Sequence, residues 1–550
     1  MALPIFLLLL LLLITFSSLL SFTITTTTTT SQDIATCLSS SNVLNFTTPS
    51  SASSTTTFNL ILNFSIQNLR FSSPDLPKPA AIILPSTLPD LRAAVLCCRA
   101  ASLSIRIRSG GHSYEGLSYL ADHHTPFALI DMMNLNQVRL DAGSLTAWVQ
   151  AGATLGETYY AIAESSDTLG FSAGSCPTVG SGGHIAGGGF GLLSRKYGLA
   201  ADNIVDAILV DSSGRVLDRE SMGDDVFWAI RGGGGGTWGV VFAWRIKLLP
   251  VPKIVTGFIV SRPGSTRFIS GLVHKWQRVG PSLPDEFYLA AFVGAGLPEM
   301  GRAGFSATFK GFYLGPKSDA VEILNRRFPE LGLIEPECHE MSWIDSVVFF
   351  SGLGVNSTMS DLKDRALRRR GFFKAKSDYV RARISKRDLK TAFDLLAVEP
   401  KAYLIMDPYG GAMSRIKSGD LPFPHRDGNL YSIQYMIEWT VEDEGRGKEY
   451  MEWLRGLYEL MGEMVSRGPR AAYVNYLDLD LGVTGNENDA RVWGEKYYLG
   501  NYDRLVRAKM AIDPDNVFNN PQSIPPSGSG LNLSLVDVLG HSVGTQKDRV

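Results

Sequence analysis

Two short stretches of the chain combine glycine with a side chain that can form a covalent bond. Arg108-Ser109-Gly110-Gly111-His112 ends on an imidazole. The run CPTVGSGGHIAGGGFG, from Cys176 to Gly191, opens on a thiol, and seven of its sixteen residues are glycine. Glycine lets backbone N–H groups approach a ligand with no Cβ in the way. Two such loops, each with its own nucleophile, point to a large, extended and partly anionic cofactor gripped from two sides.

Rival phosphate and acyl chemistries fail on local pattern. Neither loop ends in the Gly-Lys-Ser/Thr of a Walker A motif. Gly234-Gly235-Gly236-Thr237-Trp238-Gly239 has dinucleotide spacing, but a strand pattern, VVFAWRIKL, follows where a helix must begin. Gly170-Phe171-Ser172-Ala173-Gly174 matches a nucleophile elbow without the required strand and helix around it. No Cys-x-x-Cys or His-Glu-x-x-His suggests a metal, so none is expected.

The elements that must hold these loops alternate in type. AAIILP, SIRIRSGGH, FALIDMMNL and TAWVQAGA read as strands. TLPDLRAAVLCCRAASL reads as a helix capped by Thr87 with Asp90 three residues on, and LGETYYAIAESS as another helix. NIVDAILVDSSGRVLD reads as a hairpin turning at Ser213-Gly214. GVVFAWRIKLLPVP reads as one long strand closed by Pro250 and Pro252, and a domain boundary is expected there. Beyond it, strand patterns such as FYLAAFVGA and GFSATFKGFYLG give way to helical SKRDLKTAFDLLA and GKEYMEWLRGLYELMGEMV. The alternation suggests an α+β or α/β class.

The 550 residues carry a formal charge of −2, which argues against a nucleic-acid partner. Arg368-Arg369-Arg370 reads as a solvated face. In MALPIFLLLLLLLITFSSLLSF the strongly apolar stretch from Ile5 to Phe16 is short for a span, and the segment reads as a cleaved secretory signal over 1–25, with no stable membrane anchor. Secretion is therefore expected, to the cell exterior or wall or to the vacuole. Asn45, Asn63, Asn356 and Asn532 begin Asn-x-Ser/Thr sequons that fit that route. The five cysteines, Cys37, Cys97, Cys98, Cys176 and Cys338, leave at least one without a partner in the chain. The tail 528–550 is expected to be disordered.

RSGGHSYEG and GSCPTVGSGGHIAGGGFGLLSRKYGLAADNI closely resemble the plant berberine bridge enzyme-like flavoproteins, members of the vanillyl-alcohol oxidase group of FAD-binding oxidases. VFWAIRGGGGGTWG, DPYGGAM, PFPHRDGNLYSIQY, AYVNYLDLDLG and KMAIDPDNVFNNPQSIPP extend the resemblance from about Cys37 to Pro526. It implies an α+β, two-domain PCMH-type fold. An FAD-binding domain would cover 32–252, a substrate domain of antiparallel sheet and helices 253–470, and a segment returning to the flavin domain 471–527. It implies FAD attached twice, at the 8α carbon through His112 and at C6 through Cys176. Ser109, Gly110, Gly111, Ser113, Val179, Gly180, Gly182, Gly183, His184, Gly187 and Gly188 would line the cofactor. It implies a disulfide from Cys37 to Cys97, with Cys98 open as the alternative partner, and a free buried Cys338.

On the substrate side the resemblance points to Tyr114, Gln434 and Tyr476. Tyr476 would act as base and would need a depressed pKa. Gln434 stands where berberine bridge enzymes proper have glutamate. Phe190 and Ser432 replace the tyrosine and lysine of monolignol-oxidising members, and Leu477 replaces an arginine beside Tyr476. Val179 implies reoxidation by O₂, releasing hydrogen peroxide. The favoured expectation is a carbohydrate or oligosaccharide oxidase. An alkaloid oxidase is the alternative, and a monolignol oxidoreductase or a silent flavoprotein stands behind it.

Overall fold

The computed structural model describes residues 33–49, 52–297, 304–367 and 370–527. The signal over 1–25, the tail 528–550, Asn532, Arg368 and Arg369 lie outside the described residues.

A small four-stranded sheet comes first along the chain. It contains β1 (Phe46–Thr47), β2 (Ile82–Ile83), β3 (Ser104–Arg108) and β4 (Phe127–Asp131), in the order β1-β2-β4-β3. β2 and β3 both run parallel to β4, so the chain between them must cross over. The helix Leu88–Ala100 makes that crossing. Thr87 and Asp90 form its capping box, as the sequence suggests. Cys37 bonds Cys97 and pins the helix Ile34–Ser40 to it, while Cys98 is free and buried. Adjacent helical residues point about 100° apart, so only one of the two can face that partner.

The second sheet holds β5 (Val138–Asp141), β6 (Thr146–Gln150), β8 (Ile204–Val210), β9 (Val216–Leu217) and β10 (Val240–Lys247), in the order β5-β6-β10-β8-β9. The hairpin at Ser213-Gly214 forms, with Asp211 accepting from the backbone N–H of Ser213 and of Arg215. The expected long strand does break. β10 stops at Lys247, and β11 (Leu249–Pro250) pairs instead with β7 (Leu169–Gly170). Pro250 has no N–H to donate, so the ladder cannot continue through it inside a central strand.

The third sheet has seven antiparallel strands. They are β12 (Val255–Pro263), β13 (Phe287–Gly294), β14 (Ser306–Tyr313), β15 (His339–Met341), β16 (Phe372–Val380), β17 (Ala402–Pro408) and β18 (Tyr431–Trp439). Their order is β15-β12-β14-β13-β17-β18-β16. One face packs on the helices Thr266–Val279, Lys386–Leu396 and Gly447–Met461 through Leu404, Met406, Ile433 and Tyr435. The other face meets the first two sheets and the segment from Ala471 to Ile524 through Tyr288, Ala290, Tyr379 and Tyr409. Burial on both faces explains why all nine residues of β16 are inaccessible.

Arg370, the described member of the arginine cluster, is exposed, as a solvated face requires. Its guanidinium donates to the carbonyls of Asn63 and Phe64, the last residues of the helix Ala52–Phe64. A cation on orphan C-terminal carbonyls is a favourable cap. The sequon residues Asn45, Asn63 and Asn356 are exposed.

Candidate active site

A cavity of about 380 Å³ lies among the first two sheets, the glycine loops and the segment Val474–Leu477. β3 delivers Ser109 to Tyr114 to one wall. The helix Ser181–Ala186 and the loop before it supply Cys176, Val179, Gly180, Gly182, Gly183 and His184.

His112 and Cys176 converge. His112 Nε2 lies 2.9 Å from Thr178 Oγ1, and Cys176 Sγ lies 3.8 Å from the same oxygen. The two nucleophiles are therefore spaced to reach one ligand edge. Burial pushes the His112 imidazole down to about 4, so the ring is neutral at working pH and its lone pair is available. Cys176 is open to the cavity, yet the protein around the thiol desolvates it and raises its pKa. Thr178 carries no glycine or nucleophile signature, and only its position between the two groups reveals it.

The glycines divide into two groups. Some exist for loop-to-loop packing. A Cβ on Gly110 would stand 2.2 Å from Gly180 N, and one on Gly180 would stand 2.0 Å from Ser109 Oγ. Ser109 closes the same contact by donating to Ala151 O at 2.5 Å. Others face open space. A Cβ on Gly183 would meet no protein atom within 4 Å, and one on Gly235 none closer than 3.8 Å, although both residues line the cavity. This is the cradle that a ligand fills.

Gly187 and Gly188 do not line it, contrary to the sequence expectation. Gly187 is pressed against the Asn475 side chain, and Gly188 turns at φ +114° against Leu199 and Phe423. The far end of the cavity is lined instead by Arg106, Gly234 to Trp238, Asn519 and Asn520. The five-glycine run from Gly232 was a visible signal for that end; Asn519 and Asn520 had none.

His184 Nε2 accepts from Gly174 N at 3.1 Å, and burial holds the ring down at about 4, so the neutral ring carries its proton on Nδ1. Ser172 of the elbow-like motif is wholly buried and donates to Gly198 O at 2.6 Å, which removes it as a nucleophile.

Above the His112 end sit the three substrate-side residues. The rings of Tyr114 and Tyr476 stack in parallel, 5.5 Å apart with an interplanar angle of 1°. Gln434 Nε2 donates to the Tyr114 hydroxyl at 2.7 Å. Asn475 ties the Tyr476 loop to the cradle by donating to His184 O at 3.0 Å. The Tyr476 phenol does not meet the expected condition for a base. Burial, then Asp407 and the phenols of Tyr114, Tyr473 and Tyr288, raise its pKa well above the ordinary value. Leu477 beside it carries no charge that could offset this.

Asp407 is the residue the sequence did not single out. It lies opposite Ser432 on the same sheet face as Gln434. Tyr288 donates to its carboxylate, and Phe190 packs against Tyr288 and stacks on Tyr409 at 5.4 Å. Burial pushes Asp407 up to about 6, although Tyr288 and Lys310 pull the other way. Farther along that face Tyr403 donates to Glu438 at 2.8 Å. The face over the cavity mouth therefore carries aromatic rings and two carboxylates, with one ammonium, that of Lys310, over the Phe292 ring.

One prediction follows from the cradle. Gly183→Leu adds a side chain in helical backbone with no protein neighbour. The variant should fold with an unchanged or higher melting temperature and lose at least about tenfold in bound flavin, one misplaced side chain costing about 1–3 kcal/mol. Absorbance at 450 nm per polypeptide checks it.

Comparison with known proteins agrees with this geometry. Residues 79–219 match the family model described as an FAD binding domain, and residues 472–525 match that described as berberine and berberine like. The chain is 54% identical over 515 residues to berberine bridge enzyme-like D-2 of Nicotiana tabacum, covering 90% of this chain and 91% of the relative. The solved berberine bridge enzyme of Eschscholzia californica superposes with a TM-score of 0.86 at 48% identity, covering 90% of this chain and 100% of that one. A variant of berberine bridge enzyme has been solved in complex with (S)-reticuline. Phl p 4, a grass pollen allergen with glucose dehydrogenase activity, superposes with a TM-score of 0.84 at 41% identity over 90% of this chain and 99% of the allergen.

Proposed function

Because the chain belongs to the berberine bridge enzyme-like family of FAD-dependent oxidoreductases, we propose that it is a secreted oxidase that holds FAD through both His112 and Cys176 and oxidises an amine-bearing, alkaloid-type donor. FAD, when bound, supplies the two-electron acceptor. The protein's part is to place the donor and manage its charge and proton.

Asp407 carries the choice of donor. An alcohol must give up its hydroxyl proton as the hydride leaves, and a base tuned near working pH contributes about 10²–10⁴ to such a step. The Tyr476 phenol is tuned away from that role. An amine can arrive as a cation, but its nitrogen must give up the N–H proton before the hydride leaves, because only the neutral amine has the lone pair that forms the iminium; a carboxylate that titrates near 6 can take that proton. Asp407, close to 6 and beside Tyr476, provides the counter-charge, with Glu438 farther out. The stacked Tyr114 and Tyr476 rings offer flat apolar surface and cation–π attraction to the same cation. The solved relative with (S)-reticuline, an amine, supports this reading. Ser432 stands opposite Asp407, and Phe190 packs on Asp407's partner Tyr288, where monolignol oxidisers would have an ammonium and a phenol, so this chain lacks both of those groups.

A carbohydrate donor is the second reading, favoured by the glucose dehydrogenase activity of Phl p 4. Val179 at the cavity wall supports O₂ as the acceptor that restores the oxidised flavin.

The test is anaerobic. Oligosaccharides, cinnamyl-type alcohols and tetrahydroprotoberberine or benzylisoquinoline amines are mixed in turn with the purified protein. The oxidised flavin band should bleach with an amine. Bleaching by sugars alone would overturn the amine reading and leave the oxidoreductase intact.

A further inference from the structure

A buried ionic cluster stands behind the two stacked tyrosines. β16 is the edge strand of the seven-stranded sheet. Phe373 and Ala375 turn one way, toward Tyr114. Lys374 and Lys376 turn the other way and are each only 2% exposed. Two loops wrap round the strand to meet them. The Lys374 ammonium bonds Glu115, the residue after Tyr114, and Asp478 Oδ1 at 2.7 Å, two residues after Tyr476. Lys376 bonds Asp478 Oδ2 at 2.6 Å and Asp480 Oδ2 at 2.8 Å. Arg455 closes the outer end on Asp480 at 2.9 Å.

We propose that Lys374 is a positioning residue for the active site, a single ammonium that sets the spacing of Tyr114 and Tyr476 by holding Glu115 and Asp478 at once. The lever arms are one and two residues long, so a movement of either carboxylate reaches its tyrosine. Tyr114 is held on a second side by Asn68, which donates to Tyr114 O at 3.1 Å and to Phe373 O at 2.9 Å. Lys376 touches only the Tyr476 side of the pair. Stability alone does not call for this cluster, because well-packed apolar groups would serve a covered edge strand as well as buried ions. Burial opposes the charge on Lys374, but Glu115, Asp478 and Asp480 outweigh it and hold the lysine protonated.

The test compares two changes of equal chemistry. Lys374→Met severs the link between the two loops, and Lys376→Met removes a buried ion pair but leaves that link. Both should lower the melting temperature. Lys374→Met should also lower kcat about 100-fold with a much smaller change in KM, the scale of a 1 Å misplacement of reacting groups. Lys376→Met should cost far less in kcat. Crystal structures of the holoproteins should show the Tyr114–Tyr476 stack and the Gln434–Tyr114 bond disturbed only in the first. That readout needs no donor, so it is separate from the amine proposal. Parallel losses of stability and kcat in the two variants, or an undisturbed stack in Lys374→Met, would overturn the assignment. If Lys374→Met does not fold, Glu115→Gln keeps the side-chain shape and weakens the same link. A loss of kcat with a displaced Tyr114 then supports the proposal, and unchanged kcat overturns it.

Discussion

The double variant His112→Ala/Cys176→Ala releases all of its flavin when the protein is denatured in acid, while each single variant keeps its flavin with the polypeptide. This result is expected because the two nucleophiles meet at one hydroxyl, Thr178, and face the same cavity. Neither change disturbs a buried network, since among the described residues the side-chain hydrogen-bond partner of both groups is that threonine. The double variant should therefore fold and still bind FAD reversibly. The pH dependence separates the two bonds. His112 is neutral above about 4, so attachment through it should be insensitive to pH from 5 to 9. The Cys176 thiol is raised, so attachment through its thiolate should speed up as pH rises over that range. Complete release from either single variant would show that only one bond exists.

Asp407→Asn should lower kcat/KM for a cationic amine by about 30-fold or more, the low end of the ~2–5 kcal/mol lost when one partner of a buried charge pair is truncated. The sign follows from its raised pKa. A carboxyl at about 6 is neutral below that value and charged above it, so kcat/KM for the cation should climb from pH 5 to pH 7. The climb should vanish in Asp407→Asn. Stability moves the opposite way. A folded pKa above the unfolded one means that Asp407 helps the fold most at low pH and that this help is lost as pH rises through about 6. The asparagine avoids that cost, so its melting temperature at pH 7 should not fall below that of the parent. A variant that loses stability and activity together would point to a packing role instead. Asp378 also titrates near 6, but it is spent on Arg470 and Tyr435 and should leave the profile of Asp407→Asn flat.

The sequence by itself determined the local features and the cofactor. Two glycine loops with a histidine and a cysteine announced a ligand held from two sides, because glycine content and nucleophile identity are properties of a short stretch. The capped helix at Thr87 and the hairpin at Ser213-Gly214 were legible for the same reason, whereas the pairing of Cys37 rested on the resemblance to the family, and only the fold chose Cys97 over Cys98. Tertiary structure decided which glycines face the ligand. Gly187 and Gly188 look the same in sequence as Gly183, yet they pack against protein while Gly183 opens on the cavity. It also decided the electrostatics of the site. Tyr476 was a plausible base until burial and Asp407, nearly seventy residues earlier in the chain, came to act on it together. The link from Glu115 through Lys374 to Asp478 spans three distant segments. A pKa or an ion pair depends on what the fold brings within a few ångströms, and residue spacing along the chain does not encode that distance.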